Sequence, residues 1–434
     1  MSRKPAFLAA LASSAVPGLD PVSVRAARPE PGNRHEVAFV TDSQHRTWVV
    51  RAPLTSAAGA QMDTTVALLA LIGRRLPFSV PAPRGFVAVP EGRAVVYPHL
   101  EGRPIDLGSV PAGPGLAAEV GRAVAALHNI DRGVFDEAGL PVYEAEESRT
   151  RKLADLDRAA ATGRVPTALL ARWERALEDV SIWRFAPTPI HGDLTGDQVL
   201  VVFEGEDDAS TGRVRGITGW DDAKVADPAE DFAALISECS PEAFESVLEA
   251  YAHSRVERPD RHLRRRACLV AELRLLGGLL SAVSSGDRDL IAARAADLHD
   301  LEERTMDESD ESDESDGATA ARGTAESAPA EPSPAEPAPL MNSDDGAGGS
   351  GAGDPEDPSE DAEADHTQPV NAGRFTEATR VISTEELEQI RATRLPAENT
   401  PSVQPPGSVQ PPGSVQPPGS APPPGSAPPP DVVR

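Results

Sequence analysis

PIHGDLTGDQVLV, residues 189–201, decides how this chain is read. An apolar pair, Pro189 and Ile190, runs into His191, Gly192 and Asp193, and a second apolar run of Val199, Leu200 and Val201 follows. The pattern predicts a strand that stops at HGD and another that starts at VLV, with one carboxylate, Asp193, presented on the tight loop between them. A turn-and-cap pair without chemistry is the competing reading of His191 and Asp193. Downstream lies a second dense stretch, GITGWDDAKVADPAEDFA at 216–233.

Upstream, residues 21–51 alternate as strands do: Val22 with Val24, Val37 with Phe39, then Trp48, Val49 and Val50, with a Pro/Gly turn at 29–33. Met62, Val66, Leu69, Ile72 and Leu76 recur at helical spacing until Pro81 and Pro83 stop them, and strands follow at 85–89 and 93–98. The predicted order β-β-β-α-β-β describes a small, mostly antiparallel lobe over residues 1–98. Glycine and proline at 98–106 read as a hinge, and 116–128, 148–163 and 168–180 as amphipathic helices. Helices resume from about 241 to 303, so the second lobe, 99–303, is mainly helical with one β-rich island at 189–220. The fold class expected is α+β, a two-lobed arrangement with a long disordered C-terminal tail.

The HGD loop resembles the catalytic loop of aminoglycoside phosphotransferases, choline kinases and macrolide phosphotransferases, whose pattern is HGDxxxxN followed by an apolar strand. Residues 216–233 resemble the same family's GxIDWxxxxxGDPxxDLA segment, with Trp220, Asp227, Pro228 and Asp231 aligned. WVVRAP at 48–53 resembles the strand bearing the nucleotide-binding lysine, here Arg51, and AVVYPHLEG at 94–102 resembles the hinge, with Tyr97 and His99 as candidate nucleotide contacts. The resemblance covers residues 22–304 and implies a protein-kinase-like fold. It further implies that Asp193 orients and accepts the proton of a substrate hydroxyl, that His191 braces the loop, and that position 198 holds metal. Asp227 and Asp231 would lock their segment to the helical lobe.

Three positions depart from the family pattern. Gly219 stands where the family has its metal-binding aspartate, and phosphoryl transfer depends on cations that offset charge on the phosphate oxygens. Gln198 replaces asparagine; its carbonyl can still ligate magnesium, one methylene farther out. The helix after Arg51 offers only Thr64, Thr65 and nearby Asp63 where the family's ion-pair glutamate belongs, and arginine does not reproduce lysine's point charge. Asp221, two residues beyond Gly219 on the same strand face, is the candidate replacement ligand beside Gln198, although two residues along a strand span about 6.6 Å. A solvated acid beside a structural tryptophan is the alternative. The expected function is transfer of the γ-phosphate of ATP or GTP, with Mg2+, to a hydroxyl of a small molecule, aminoglycosides and macrolides being the nearest analogy. The alternative is a catalytically impaired pseudokinase that binds a ligand or scaffolds a partner.

Composition separates the tail from the rest. Residues 301–434 carry 27 acidic and 7 basic side chains, −20 of the chain's −28. The remainder is mildly acidic and offers no general attraction for nucleic acid or an anionic membrane. Arg264, Arg265 and Arg266 read as a solvated helix face near acids. The tail, taken from residue 304, contains DESDESDESD at 307–316 and SVQPPG repeats at 402–419, a composition unable to bury enough apolar surface to order itself. One island, RFTEATRVISTEELEQIRA at 374–392, has Ser383 and Glu386 spaced as a capping box and reads as a segment ordered on binding a protein partner. Thr379 and Ile382 resemble the sites read by phosphothreonine-binding domains. Two cysteines outside any ligand pattern fit a reducing cytoplasm. Arg3 and Lys4 precede an apolar run at 6–16 of secretory-signal length, which Ser13 and Ser14 dilute. No other stretch is expected to approach membrane-spanning length.

Overall fold

A computed structural model describes residues 5–27, 33–205, 209–322 and 380–381. The chain opens with α1 (Pro5–Ala15), followed by β1 (Pro21–Ala26), β2 (His35–Asp42), β3 (Thr47–Pro53), α2 (Ser56–Ile72), β4 (Gly85–Val89) and β5 (Gly92–Pro98). The predicted β-β-β-α-β-β order is therefore present, with α1 added before it. The apolar run that resembles a signal core is packed: Leu8, Leu11 and Ala12 bury against Val24, Val40, Val50 and Val96 on one face of the sheet. Alternation along the strands leaves Val37, Phe39, Val49 and Arg51 on the opposite face, where α2 lies. Met62, Leu68 and Ile72 of α2 are fully buried, each contributing about 1.5–3 kcal/mol of apolar transfer.

The second lobe continues with β6 (Arg103–Pro104), α3 (Leu116–His128), α4 (Arg132–Glu137), α5 (Ala145–Ala160), α6 (Thr167–Glu178), β7 (Thr188–Ile190), β8 (Val199–Val202), β9 (Arg213–Ile217) and β10 (Lys224–Ala226). Then come α7 (Ala233–Glu238), α8 (Pro241–Ser254), α9 (Leu263–Ser285), α10 (Arg288–Arg322) and the two-residue β11 (Arg380–Val381). Strands β10 and β7 pair with Lys224 opposite Ile190, which lays the 216–233 segment beside the HGD loop. β8 pairs with β9 and β6 in a second small sheet. The small-lobe sheet runs β11-β1-β2-β3-β5-β4.

Several expectations need correction. Arg264 and Arg265 do lie on the surface with Glu245 and Asp179, but Arg266 is fully buried. Its guanidinium donates to Asp227 at 2.9 Å and Asp260 at 2.8 Å, because a carboxylate locked inside the lobe needs a buried cation. By length and composition α9 could cross a membrane, with mean hydropathy 1.6 over its best window, contrary to the reading that no such stretch follows the N-terminus. It packs instead through Leu269, Leu276 and Leu279 against α5, α6 and α10 residues such as Leu156, Trp173 and Leu298. α10 itself runs from Arg288 to Arg322. Apart from residues 380–381, the 374–392 island, including Thr379, Ser383 and Glu386, lies outside the described residues.

Candidate active site

The HGD loop is held from behind by a buried acid. Asp231 accepts from the backbone N–H of His191 at 2.8 Å, from that of Gly192 at 2.7 Å and from His128 Nε2 at 3.0 Å. Burial works to raise the Asp231 pKa, yet these donors hold it below the usual carboxylate range. His128 passes the network to the Tyr251 hydroxyl, 2.9 Å from Nδ1, so α3, α8 and the loop share one buried chain of hydrogen bonds. His191 Nε2 donates to the Thr218 carbonyl at 2.8 Å, and its ring meets Trp220 at 4.9 Å between centroids. Since a carbonyl only accepts, the proton sits on Nε2, and Nδ1 has no hydrogen-bond partner among the described residues. His191 thus braces the loop from a fully buried position.

Gly192 is required twice over. Its φ is +88°, and a Cβ there would stand 2.1 Å from the Asp222 carbonyl oxygen. That turn presents Asp193, whose side chain is half exposed, at the loop tip. Arg274 on α9 approaches its carboxylate to 3.3 Å. Partial burial raises the Asp193 pKa, and the Arg274 charge opposes the rise. Arg274 carried no signal in the sequence reading, because only the packing of α9 brings it here.

The positions expected to hold metal are otherwise engaged. Gln198 turns back on its own loop, its Oε1 accepting from the Thr195 N–H at 3.3 Å. Its amide lies against Gly219, where an added Cβ would stand 2.6 Å from Nε2 and 2.7 Å from Cδ. Residues 220–222 form a turn of 3-10 helix rather than a strand, so Asp221 does not share a strand face with Gly219. The turn swings Asp221 up to α2 and β3, where it closes an ion pair with Arg51, with a second contact of 3.3 Å. Thr65 Oγ1 approaches it at 3.4 Å, and Gln61 donates to its backbone carbonyl at 2.6 Å. Burial pushes the Asp221 carboxyl up, but the Arg51 guanidinium outweighs it and holds the group low. Asp222 is likewise paired with Arg34, at 2.9 Å. Gly219 offers no donor, Gln198 faces Thr195, and Asp221 faces a cation, so these residues do not fit a divalent ion. Among the described residues no group of three His, Cys, Asp or Glu side chains is placed to hold a metal ion.

Arg51 is further held by His35, whose Nδ1 accepts from it at 3.1 Å while Nε2 donates to the Ala58 carbonyl at 3.3 Å. Burial, then the Arg51 charge, depress the His35 pKa and keep it neutral. Neither His35 nor Gln61 was legible as a site residue in advance. Tyr97, expected at the nucleotide, is only 3% exposed and packs under α2 with Met62 and Val95. Its hydroxyl has no hydrogen-bond partner among the described residues, and burial pushes its pKa up to about 12. Paired with Val49, Tyr97 lies on the same sheet face as Arg51, and it is the packing of α2 over that face that covers it. His99 is exposed and lies 5.8 Å from Phe39, over whose ring Arg25 stacks at 4.7 Å. Burial and then Arg25 lower its pKa. Beside the Asp221 turn a cavity of about 500 Å3 is lined by Gln61, Thr65, Tyr143, Lys152, Lys224 and Glu230, with Lys152 and Lys224 both 2.9 Å from Glu230.

The sequence pattern of the phosphotransferase enzyme family matches residues 26–267. Among solved structures, the macrolide 2'-phosphotransferase MphH of Brachybacterium faecium is 28% identical, with a TM-score of 0.57 over 68% of this chain and 98% of that one. An aminoglycoside phosphotransferase, APH(2")-IIIa, in complex with GDP and kanamycin, shares the fold with a TM-score of 0.57 at 18% identity, over 68% of this chain and 97% of that one. The uncharacterized protein YcbJ of Bacillus subtilis is 29% identical over 227 residues, 50% of this chain and 71% of that protein. With an HGD loop braced by a buried aspartate, a two-lobed kinase-like architecture and a family match across both lobes, this chain belongs to the phosphotransferase enzyme family.

Proposed function

We propose that this chain is a catalytically impaired member of its family, a pseudokinase that binds a nucleotide without a divalent metal. The observation that carries the reading is the joint change at three positions. Gln198 fills the space beside Gly219, and Asp221 serves as the counter-ion of Arg51 in place of the missing helix glutamate. Each change compensates another structurally, and together they consume the ligands that a metal would need. Nucleotide as the ligand class rests on relatives of the same fold solved with GDP. The basic groups nearest the turn at 220–222 are Arg51 and Arg34, whose ion pairs with Asp221 and Asp222 a nucleotide's phosphates would have to compete with, and a nucleotide ligand fits a cytoplasmic setting. A second reading, an active O-phosphotransferase acting on a small-molecule hydroxyl such as a macrolide's, draws on Asp193, which stays half exposed on a fully braced loop.

The deciding experiment titrates ATP and GTP calorimetrically into the full chain, with magnesium and with a chelator, and repeats this on Gly219→Asp combined with Gln198→Asn. The expected result is binding indifferent to magnesium in the native chain and at least about tenfold tighter with magnesium in the double variant, a difference of about 1.4 kcal/mol. Magnesium-dependent ATP turnover by the native chain, lost in Asp193→Ala, would establish the enzyme instead.

A further inference from the structure

We propose that the outer edge of β1 is a docking site for this chain's own tail, which joins the small-lobe sheet in cis through Arg380 and Val381. The backbone pairing is antiparallel, Ser23 opposite Val381 and Val24 opposite Arg380. Without it β1 would be the end of the sheet, since its other side is taken by β2. An open edge presents unpaired N–H and C=O groups to any extended chain. A bulge between Pro21 and Ser23 breaks the ladder at the start of β1, and Pro21 has no N–H to give. The usable edge therefore begins at Ser23, where the tail strand pairs.

The tail sequence singles out the same segment. From residue 323 to 434 the chain is dominated by Ala, Pro, Gly, Ser and acidic residues, whereas 379–382 reads Thr-Arg-Val-Ile, three of four residues β-branched and suited to a strand. The tether at 323–379 is long enough to return from the end of α10 to β1, since an extended chain spans about 3.3 Å per residue. Carried on the same chain, the segment meets the edge at an effective concentration on the order of millimolar.

The docked strand also bears on the candidate site. β1 and β2 form one ribbon, and just before β2 Arg34 reaches Asp222 beside the Asp221–Arg51 pair. A strand added to β1 restrains that ribbon and, with it, the arm carrying Arg34.

The test is hydrogen exchange of the full chain, read by mass spectrometry over residues 21–26. Only one of two successive strand residues turns its N–H toward β1, so Arg380 and Val381 are both replaced by proline. Exchange over 21–26 should quicken about tenfold in this variant, at every protein concentration tried, while exchange within β3 stays unchanged. Val381→Ile should retain full protection. Exchange over 21–26 that is the same with and without the prolines overturns the proposal. Protection that grows with protein concentration also overturns it, assigning the edge to the tail of a second copy.

Discussion

Arg51 on β3 and Asp221, 170 residues farther along the chain, form the ion pair that ties the two lobes together at the candidate site. The family resemblance places the partner of this cation on α2; here α2 contributes Thr65 and Gln61, and the charge comes from the opposite lobe. A carboxylate committed to a guanidinium at contact distance cannot also face a metal bound near Gln198. The pair thereby links the absence of a glutamate on α2 to the absence of an aspartate at 219. Four tests follow from this geometry and its surroundings.

Replacing Asp221 by Asn leaves Arg51 mostly buried without its charge partner. Such losses cost about 2–4 kcal/mol, less than a fully buried pair because both side chains keep some solvent. The Asp221 pKa is depressed in the fold, so its contribution is full above the unfolded carboxylate value near 3.9 and is lost as pH falls through the folded value. Denaturant titrations at pH 7 and pH 3 should show Asp221→Asn much weaker at pH 7, with the gap closing in acid.

At Gly219 two effects separate in a mutant cycle. Gly219→Ala meets a φ of +82°, costing about 1–2 kcal/mol, and its Cβ collides with the Gln198 amide. In a Gln198→Ala background the collision disappears and only the backbone strain remains. The thermal midpoint should therefore fall less for Gly219→Ala in that background than in the native chain; equal falls would mean that Gln198 moves aside freely.

The buried network behind the loop should confer acid sensitivity at mild pH. Burial lowers the His128 pKa although Asp231 works to raise it, so His128 is neutral in the fold and gains a proton more readily when unfolded. Stability is then lost as pH falls below about 6.5 toward the folded value, with a slope of up to about 1.4 kcal/mol per pH unit. His128→Gln, which can still donate to Asp231, should flatten the stability profile between pH 7 and pH 5, as read by denaturant midpoints.

Arg274→Ala removes the cation that opposes the burial-driven rise of the Asp193 pKa. The Asp193 carboxyl should therefore titrate at higher pH in this variant, observable from its side-chain carbon resonance. An unchanged titration would show that Arg274 does not engage Asp193 in solution.

Much of the fold was legible because periodicity reports on burial. Strand alternation at 21–51, the spacing of Met62, Leu69 and Ile72, and the Pro81 and Pro83 stop produced the small lobe in order. α1 was harder to read, since a short apolar run packs on a sheet or resembles a signal core with the same composition. The buried Arg266 was misread for a related reason: adjacent arginines look alike in sequence, and only helix rotation places one inside. The HGD motif and the family resemblance singled out Asp193 and His191 as candidates, while Arg34, His35, Gln61 and Arg274 gave no such signal, because each acts through a partner far away in the chain.

The sequence by itself determined the family, the two lobes, and the loop that presents Asp193, since those depend on short motifs and local periodicity. It also exposed the substitutions at 198 and 219. Only the tertiary structure decided what those substitutions do. Whether Asp221 meets a metal or a guanidinium depends on a single turn at 220–222, and whether Gln198 reaches outward or covers Gly219 depends on a rotamer set by Thr195. The first is a contact between segments 170 residues apart, which no local pattern encodes; the second is a capping contact within one turn, and only the packing of Gly219 against it gives it a consequence for the site.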